Sequence, residues 1–247
     1  MLVAAAVLPH PPLLVPEVAA GAAAELSDLR AACGETLASV QQAMGPGSDV
    51  VVVGPGARRQ TFWPGAVGSF AGFGVPLDVA LPGRVASDTS ASPTLPLSLT
   101  VGAWLMEETG GWDAPGVTVR AESVPRDLAS TDAVALGAEW ATSADRLVLV
   151  VMGDGANALS TRAPGYLVPG AEEWQSVATA ALGSADVDVL AKLQVDDAAR
   201  FGAVGRVPWQ VLAGAASAPV HAKLLAMEDR YGVAYVVAQW LATGATG

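Results

Sequence analysis

One cysteine, Cys33, serves 247 residues, so no internal disulfide can form and every zinc site built on two or more thiolates is excluded. Cys33 itself reads as a small buried apolar residue. There are two histidines, His10 and His221, which starves any histidine-rich metal centre of ligands. Charge is scarce and one-sided. Charged residues make up 15% of the chain, and 13 Lys+Arg against 24 Asp+Glu leave a net charge of -11. A surface that acidic repels nucleic acid backbones and anionic lipid headgroups, so neither is expected as a partner. No apolar run approaches the roughly 18 residues free of Pro and Gly that a membrane-spanning helix requires. The apolar start lacks a preceding Lys or Arg and is broken by Pro9, Pro11, Pro12 and Pro16, unlike a signal peptide. The expectation is a soluble, cytoplasmic protein without a membrane partner.

What the chain does have is hydrophobic content. At 52% it excludes intrinsic disorder, and the length suits one α/β domain spanning 1–247. Residues 2–8 form a short continuous apolar run ended by Pro9-His10-Pro11-Pro12, the pattern of a strand buried on both faces. Over 22–44, Leu26, Leu29, Cys33, Leu37, Val40 and Met44 recur every three or four residues, which predicts an amphipathic helix. A second buried strand follows over 49–53 and ends in Gly54-Pro55-Gly56. Further strands are expected over 75–81, 117–124 and 146–152, with helices over 95–108 and 127–143. Residues 82–96 read as a surface connector and residues 153–169 as loop. Helical patterns are then expected to the end, including 172–181, 187–201 and 231–242. Strands alternating with helices argue for a mostly parallel central sheet covered by helices on both faces, an α/β fold.

In open α/β sheets, ligands bind beyond the carboxyl ends of the strands. Three such ends carry sharp turns with polar groups: Pro9 to Pro12, Gly54 to Arg59, and Gly153-Asp154-Gly155-Ala156-Asn157. The same residue types also serve plain turns, and His10 could be a turn histidine bonded to backbone. Gly153-x-Gly155-x-x-Ala158 only imitates a dinucleotide fingerprint, because Asp154 would face the phosphates and Pro164-Gly165 would break the required helix. Arg58 could grip a carboxylate. Six of the tryptophans are expected in core or helix packing, with Trp63 expected to line a cleft.

These motifs resemble those of the class III extradiol ring-cleavage dioxygenase superfamily, which includes the Memo proteins, and look closest to its divergent subunit-B-like group. The resemblance rests on residues 8–17 with their Pro-His-Pro-Pro turn, on the strand end at 148–154, and on Tyr231-Gly232-Val233-Ala234-Tyr235. It spans nearly the whole chain. It implies a doubly covered α/β fold and, in active members, a non-haem Fe(II) held by two histidines and a glutamate. His10 matches the first ligand. Gly56 stands where the second histidine would be, and Asn157 where the catalytic histidine would be. Glu228 lies in the right region for the carboxylate. An amide cannot shuttle a proton near neutral pH, and one imidazole is too few ligands to retain Fe(II).

The reading is a divergent relative whose pocket, framed by His10, Gly56, Arg58, Asp154 and Asn157, binds a small aromatic or carboxylate ligand. The alternative is a ring-cleaving metal-dependent oxidoreductase with a rearranged site of His10, His221 and Glu228, if the fold brings them close. The tryptophan-rich tail is also compatible with homo-oligomerisation or an interaction surface.

Overall fold

The computed structural model describes residues 1–85 and 94–243. The opening strand β1 (Leu2–Leu8) leads through a short 3-10 turn and α1 (Pro16–Ala19) into α2 (Ser27–Ala43). Then come β2 (Ser48–Gly56), β3 (Gln60–Phe62), β4 (Val67–Ser69), β5 (Asp78–Ala80), α3 (Leu97–Thr109), β6 (Thr118–Pro125), α4 (Ser130–Ser143) and β7 (Arg146–Met152). The remainder holds α5 (Ala171–Ser184), α6 (Val187–Ala191), α7 (Val195–Phe201), α8 (Arg206–Ala215), β8 (Val220–Glu228) and β9 (Tyr235–Ala242).

Seven strands form one sheet in the order β3-β6-β2-β7-β1-β9-β8, and β4 pairs with β5 separately. The central four, β6, β2, β7 and β1, run parallel, while β3, β9 and β8 are joined antiparallel. The fold is therefore α/β with a mixed sheet around a parallel centre. One face is covered by α2 and α3 through residues such as Leu29, Leu37, Leu99 and Met106. The other is covered by α4, α5, α6 and α8 through Leu136, Trp140, Leu182, Leu190 and Leu212. Val50 to Val53 and Leu147 to Met152 are all fully buried, the continuous apolar runs of strands covered on both sides. Among the described residues, no helix is long and apolar enough to cross a membrane.

The tail departs from the sequence expectation. Residues 220–242 form the antiparallel hairpin β8–β9, not helix. β9 is a Tyr-Val-Val-Ala-Gln-Trp run between β1 and β8, buried along most of its length. Such a run has no alternation, and periodicity cannot tell it from a buried helical segment. The predicted helix over 187–201 is split into α6 and α7, and β3 and β4 are too short to show a pattern. Part of the connector at 82–96 lies outside the described residues. Trp104, Trp112, Trp140, Trp209 and Trp240 are buried as expected, whereas Trp63 is 58% exposed.

Helices α4 and α8 meet backbone to backbone. A Cβ on Gly137 would lie 1.8 Å from the Val211 carbonyl oxygen, and one on Gly214 would lie 1.9 Å from that of Val134. Neither obstacle is a movable side chain. Gly137→Ala is therefore expected to lower stability by about 2 kcal/mol or more, despite the roughly 1 kcal/mol that alanine gains over glycine in a helix. Urea unfolding of the variant measures it, and an unchanged midpoint would refute the close approach.

Candidate functional site at the strand ends

The turn after β1 contains three prolines, Pro9, Pro11 and Pro12, which have no N–H to donate. Its single backbone donor, His10 N–H, needs a partner once buried, and it donates to Asp154 Oδ1 at 2.7 Å. The loop after β7 is fixed in place to receive it. Gly153 N–H donates to the Leu8 carbonyl at 2.9 Å, Gly155 N–H to that of Ala234 at 2.8 Å, and Gly205 N–H to that of Asp154 at 2.8 Å. Close packing explains these glycines. A Cβ on Gly153 would lie 2.5 Å from Gly205 Cα, and one on Gly155 would lie 2.2 Å from Gln175 Oε1. The following residues to 170 contain no helix, so the dinucleotide reading of this segment fails on structure.

The His10 imidazole is buried at 7% exposure. Its Nδ1 has no hydrogen-bond partner and lies 3.6 Å from Asp154 Oδ1. Burial lowers the imidazole pKa from its ordinary 6.5, with Asp154 opposing and Arg126 reinforcing the shift. The ring is neutral at pH 7. Burial raises the Asp154 carboxyl pKa, opposed by His10 and by its backbone N–H. Tyr235, at the start of β9, has its phenol pushed up by burial and by the nearby Asp154 charge.

His10 opens onto a cleft of about 510 Å³ lined also by Gly56, Leu97, Ser98, Arg126 and Asp127. Its walls are the ends of β1, β2 and β6 and the first turn of α3. That helix has no side-chain cap, so its first-turn N–H groups and the positive end of its dipole are available at the cleft. The Ser98 hydroxyl donates to the Pro55 carbonyl at 2.7 Å, tying α3 to β2. The loop bearing Arg126 is held from below by Arg206, a guanidinium 1% exposed. Arg206 donates to the carbonyls of Arg126 and Leu128 at 2.8 Å each and to Gln210 Oε1 at 2.7 Å.

The structure thus unites His10, Gly56 and Asp154 and corrects the other assignments. Arg58 is exposed and its Nε donates to Gln60 Oε1 at 3.1 Å, outside the cleft. Asn157 is also outside it. Its Oδ1 would be 2.4 Å from a Cβ on Gly165 and 2.1 Å from one on Gly202, so its amide is wedged against both glycines as a loop brace. His221 is on β8, not in a helix, and exposed. It pairs with Leu241, which pairs with Ala4, so it lies level with the beginning of β1. His10 is six residues farther along, about 20 Å at strand rise, whereas two nitrogens on one metal stand about 4 Å apart. Glu228 reaches the correct end of the sheet but sits on the outermost strand, 3.5 Å from Arg230 Nε. The rearranged His10, His221 and Glu228 site is not assembled.

The residues do not fit the Fe(II) centre that the resemblance implies. A Cβ on Gly56 would fall 2.6 Å from Ser123 Cβ, so no side chain can project there without displacing β6. Among the described residues no three His, Cys, Asp or Glu converge as a metal site. Arg126 and Asp127 escaped the sequence reading, although they directly follow the predicted strand at 117–124. Extending the strand-end rule to that fourth strand finds them. Leu97 and Ser98 carried no such signal, because only tertiary packing brings α3 to the cleft.

No family model matches the chain, and no curated protein matches it. Among solved structures, it is similar to the uncharacterized protein JW3007 from Escherichia coli K12, at 14% identity and a TM-score of 0.49, covering 97% of this chain and 99% of that one.

Two predictions follow from this geometry. Gly56→Ala should cost about 1–3 kcal/mol by overpacking. Adding Ser123→Gly should recover part of the loss, seen as a coupling energy of about 1 kcal/mol in a double-mutant unfolding cycle, and strict additivity would contradict the contact. The second concerns His10. A group whose folded pKa lies below its unfolded value contributes stability that is present above the unfolded value and lost as pH falls. Between pH 7.5 and 5 the wild type should lose stability relative to His10→Gln, beginning near 6.5. Parallel urea midpoints across that range would show instead that the imidazole protonates as freely as in the unfolded chain.

Proposed function

We propose that the chain is a divergent relative of the class III extradiol dioxygenases that binds a small aromatic carboxylate at the strand-end cleft without a metal. The observation that carries this reading is the cleft itself. A buried neutral imidazole, the Arg126 guanidinium and an uncapped helix start share one cavity, while the Gly56 position is closed to a second histidine. The cleft volume falls within the roughly 300–1,000 Å³ of small-molecule sites.

A ligand carboxylate pairs with Arg126 and the first-turn amides of α3, where negative charge is stabilised. The neutral His10 ring serves as a hydrogen-bond partner at the cleft wall. Asp127 on the same rim accepts a hydrogen bond from a ligand hydroxyl and disfavours a second acid group. A singly charged hydroxybenzoate has this combination. The buried free thiol of Cys33 suits a reducing, cytoplasmic compartment.

Calorimetric titration with 3,4-dihydroxybenzoate and with benzoate, in the presence of a chelator, tests the reading. Binding at micromolar to low millimolar levels is expected, with tighter binding of the hydroxylated probe. Arg126→Ala should weaken it about tenfold, the loss of one charge-assisted hydrogen bond. Binding only after Fe(II) addition, or none by either probe, would overturn it.

A further inference from the structure

The outer edge of the sheet carries an inference independent of the cleft. β8 is the last strand of the order, nine residues long, with no strand on its outer side among the described residues. Its two faces differ in chemistry. Lys223 lies 3.9 Å from Glu35 of α2, and Leu225 and Ala226 pack on the core beneath the same face. Leu224 and Met227 point the other way, into a groove of about 540 Å³ between β8 and α5. Both are apolar and substantially exposed, at 40% and 41%.

A β-bulge falls between Leu224 and Ala226. A bulge puts two residues in the space of one, so Leu225 and Ala226 together occupy one position of the pleat. Counted outward from that position, the strand is self-complementary. Leu224 on one side matches Met227 on the other, both facing α5. Lys223 matches Glu228, both on the α2 side. A twofold axis perpendicular to the sheet through the bulge keeps each residue on its own face, as an isologous interface requires.

We propose that β8 is a homodimerisation edge, on which the β8 of a second copy pairs antiparallel about the Leu225–Ala226 bulge and joins the two sheets into one. In this register Lys223 of each copy lies opposite Glu228 of the other, and Leu224 lies opposite Met227, their side chains seated over the two α5 grooves. Charge complementarity selects a second copy as the occupant. Lys223 meets Glu228, at two symmetry-related places, only when the strands are antiparallel. Bulges and lysines on an edge ordinarily discourage stray pairing. Here a bulge and a lysine are met by their own counterparts in the copy and opposed by most other strands.

Sedimentation velocity of the full chain over about 1–200 µM, a range bracketing micromolar association, tests the proposal. A concentration-dependent dimer is expected. Lys223→Glu sets like charges opposite each other twice and should weaken the dimer about tenfold, with circular dichroism confirming the fold. The double variant Lys223→Glu with Glu228→Lys restores both attractions and should recover the dimer. A monomer throughout the range would overturn the interface. So would a dimer indifferent to Lys223→Glu, or one that the double variant fails to rescue.

Discussion

The architecture depends on one constraint, the complete burial of the parallel strands β1, β2 and β7 between two helical layers. Ala5 to Leu8, Val50 to Val53 and Leu147 to Met152 have no exposed surface. An unpaired polar side chain there would forfeit its hydration without compensation, and none is found. Polar chemistry is displaced to where the strands stop, and because the strands are parallel they stop together. His10, Gly56 and Arg126 come from segments far apart in sequence and meet at one cleft, with Asp154 bonded to His10, because each lies at the end of a strand with the same direction.

That convergence needs anchoring, since loops after strands are otherwise free to vary. Two hydrogen-bonding arrangements supply it. The Asp154 carboxylate takes the lone backbone donor of a proline-rich turn and so fixes where the His10 ring enters the cleft. Arg206 does the corresponding work for the loop after β6, holding two carbonyls with a guanidinium that has almost no contact with water. A buried cation bonded to neutral oxygens is costly unless those bonds are made well. The loop that presents Arg126 is therefore tied to α8 by two bonds from one buried side chain.

Much of this was legible in the residues. The buried runs, the α2 stripe, the alternation of strands and helices, and the convergence of His10, Gly56 and Asp154 at one end of the sheet follow from pattern and the strand-end rule. Arg58 misled because a strand-end arginine that enters a cleft is indistinguishable in sequence from one that stays exposed, and it is Arg126 that lines the cleft. Asn157 misled because its turn chemistry is real but is spent on packing against Gly165 and Gly202. The β8–β9 hairpin was illegible for a different reason. β9 is an interior strand, apolar but for Gln239 and without alternation, and β8, half exposed and bulged, has neither clean alternation nor a helical stripe.

Gly56 links the sheet to the chemistry most directly. Where β2 lies beside β6, the Cβ of Ser123 fills the space that a side chain at 56 would need, and the Ser123 hydroxyl donates to the Arg58 carbonyl at 2.7 Å, closing the turn just beyond. A second imidazole at this position would require both contacts to be undone. The glycine is therefore part of how the two strands pack, and the exclusion of a side chain at this position is built into the sheet. With that position closed, the imidazole of His10 faces a cavity whose other polar groups are a guanidinium, a carboxylate and a helix start. Under the proposed reading these groups are the ones that an organic anion would meet, with Arg126 and the start of α3 carrying the positive charge.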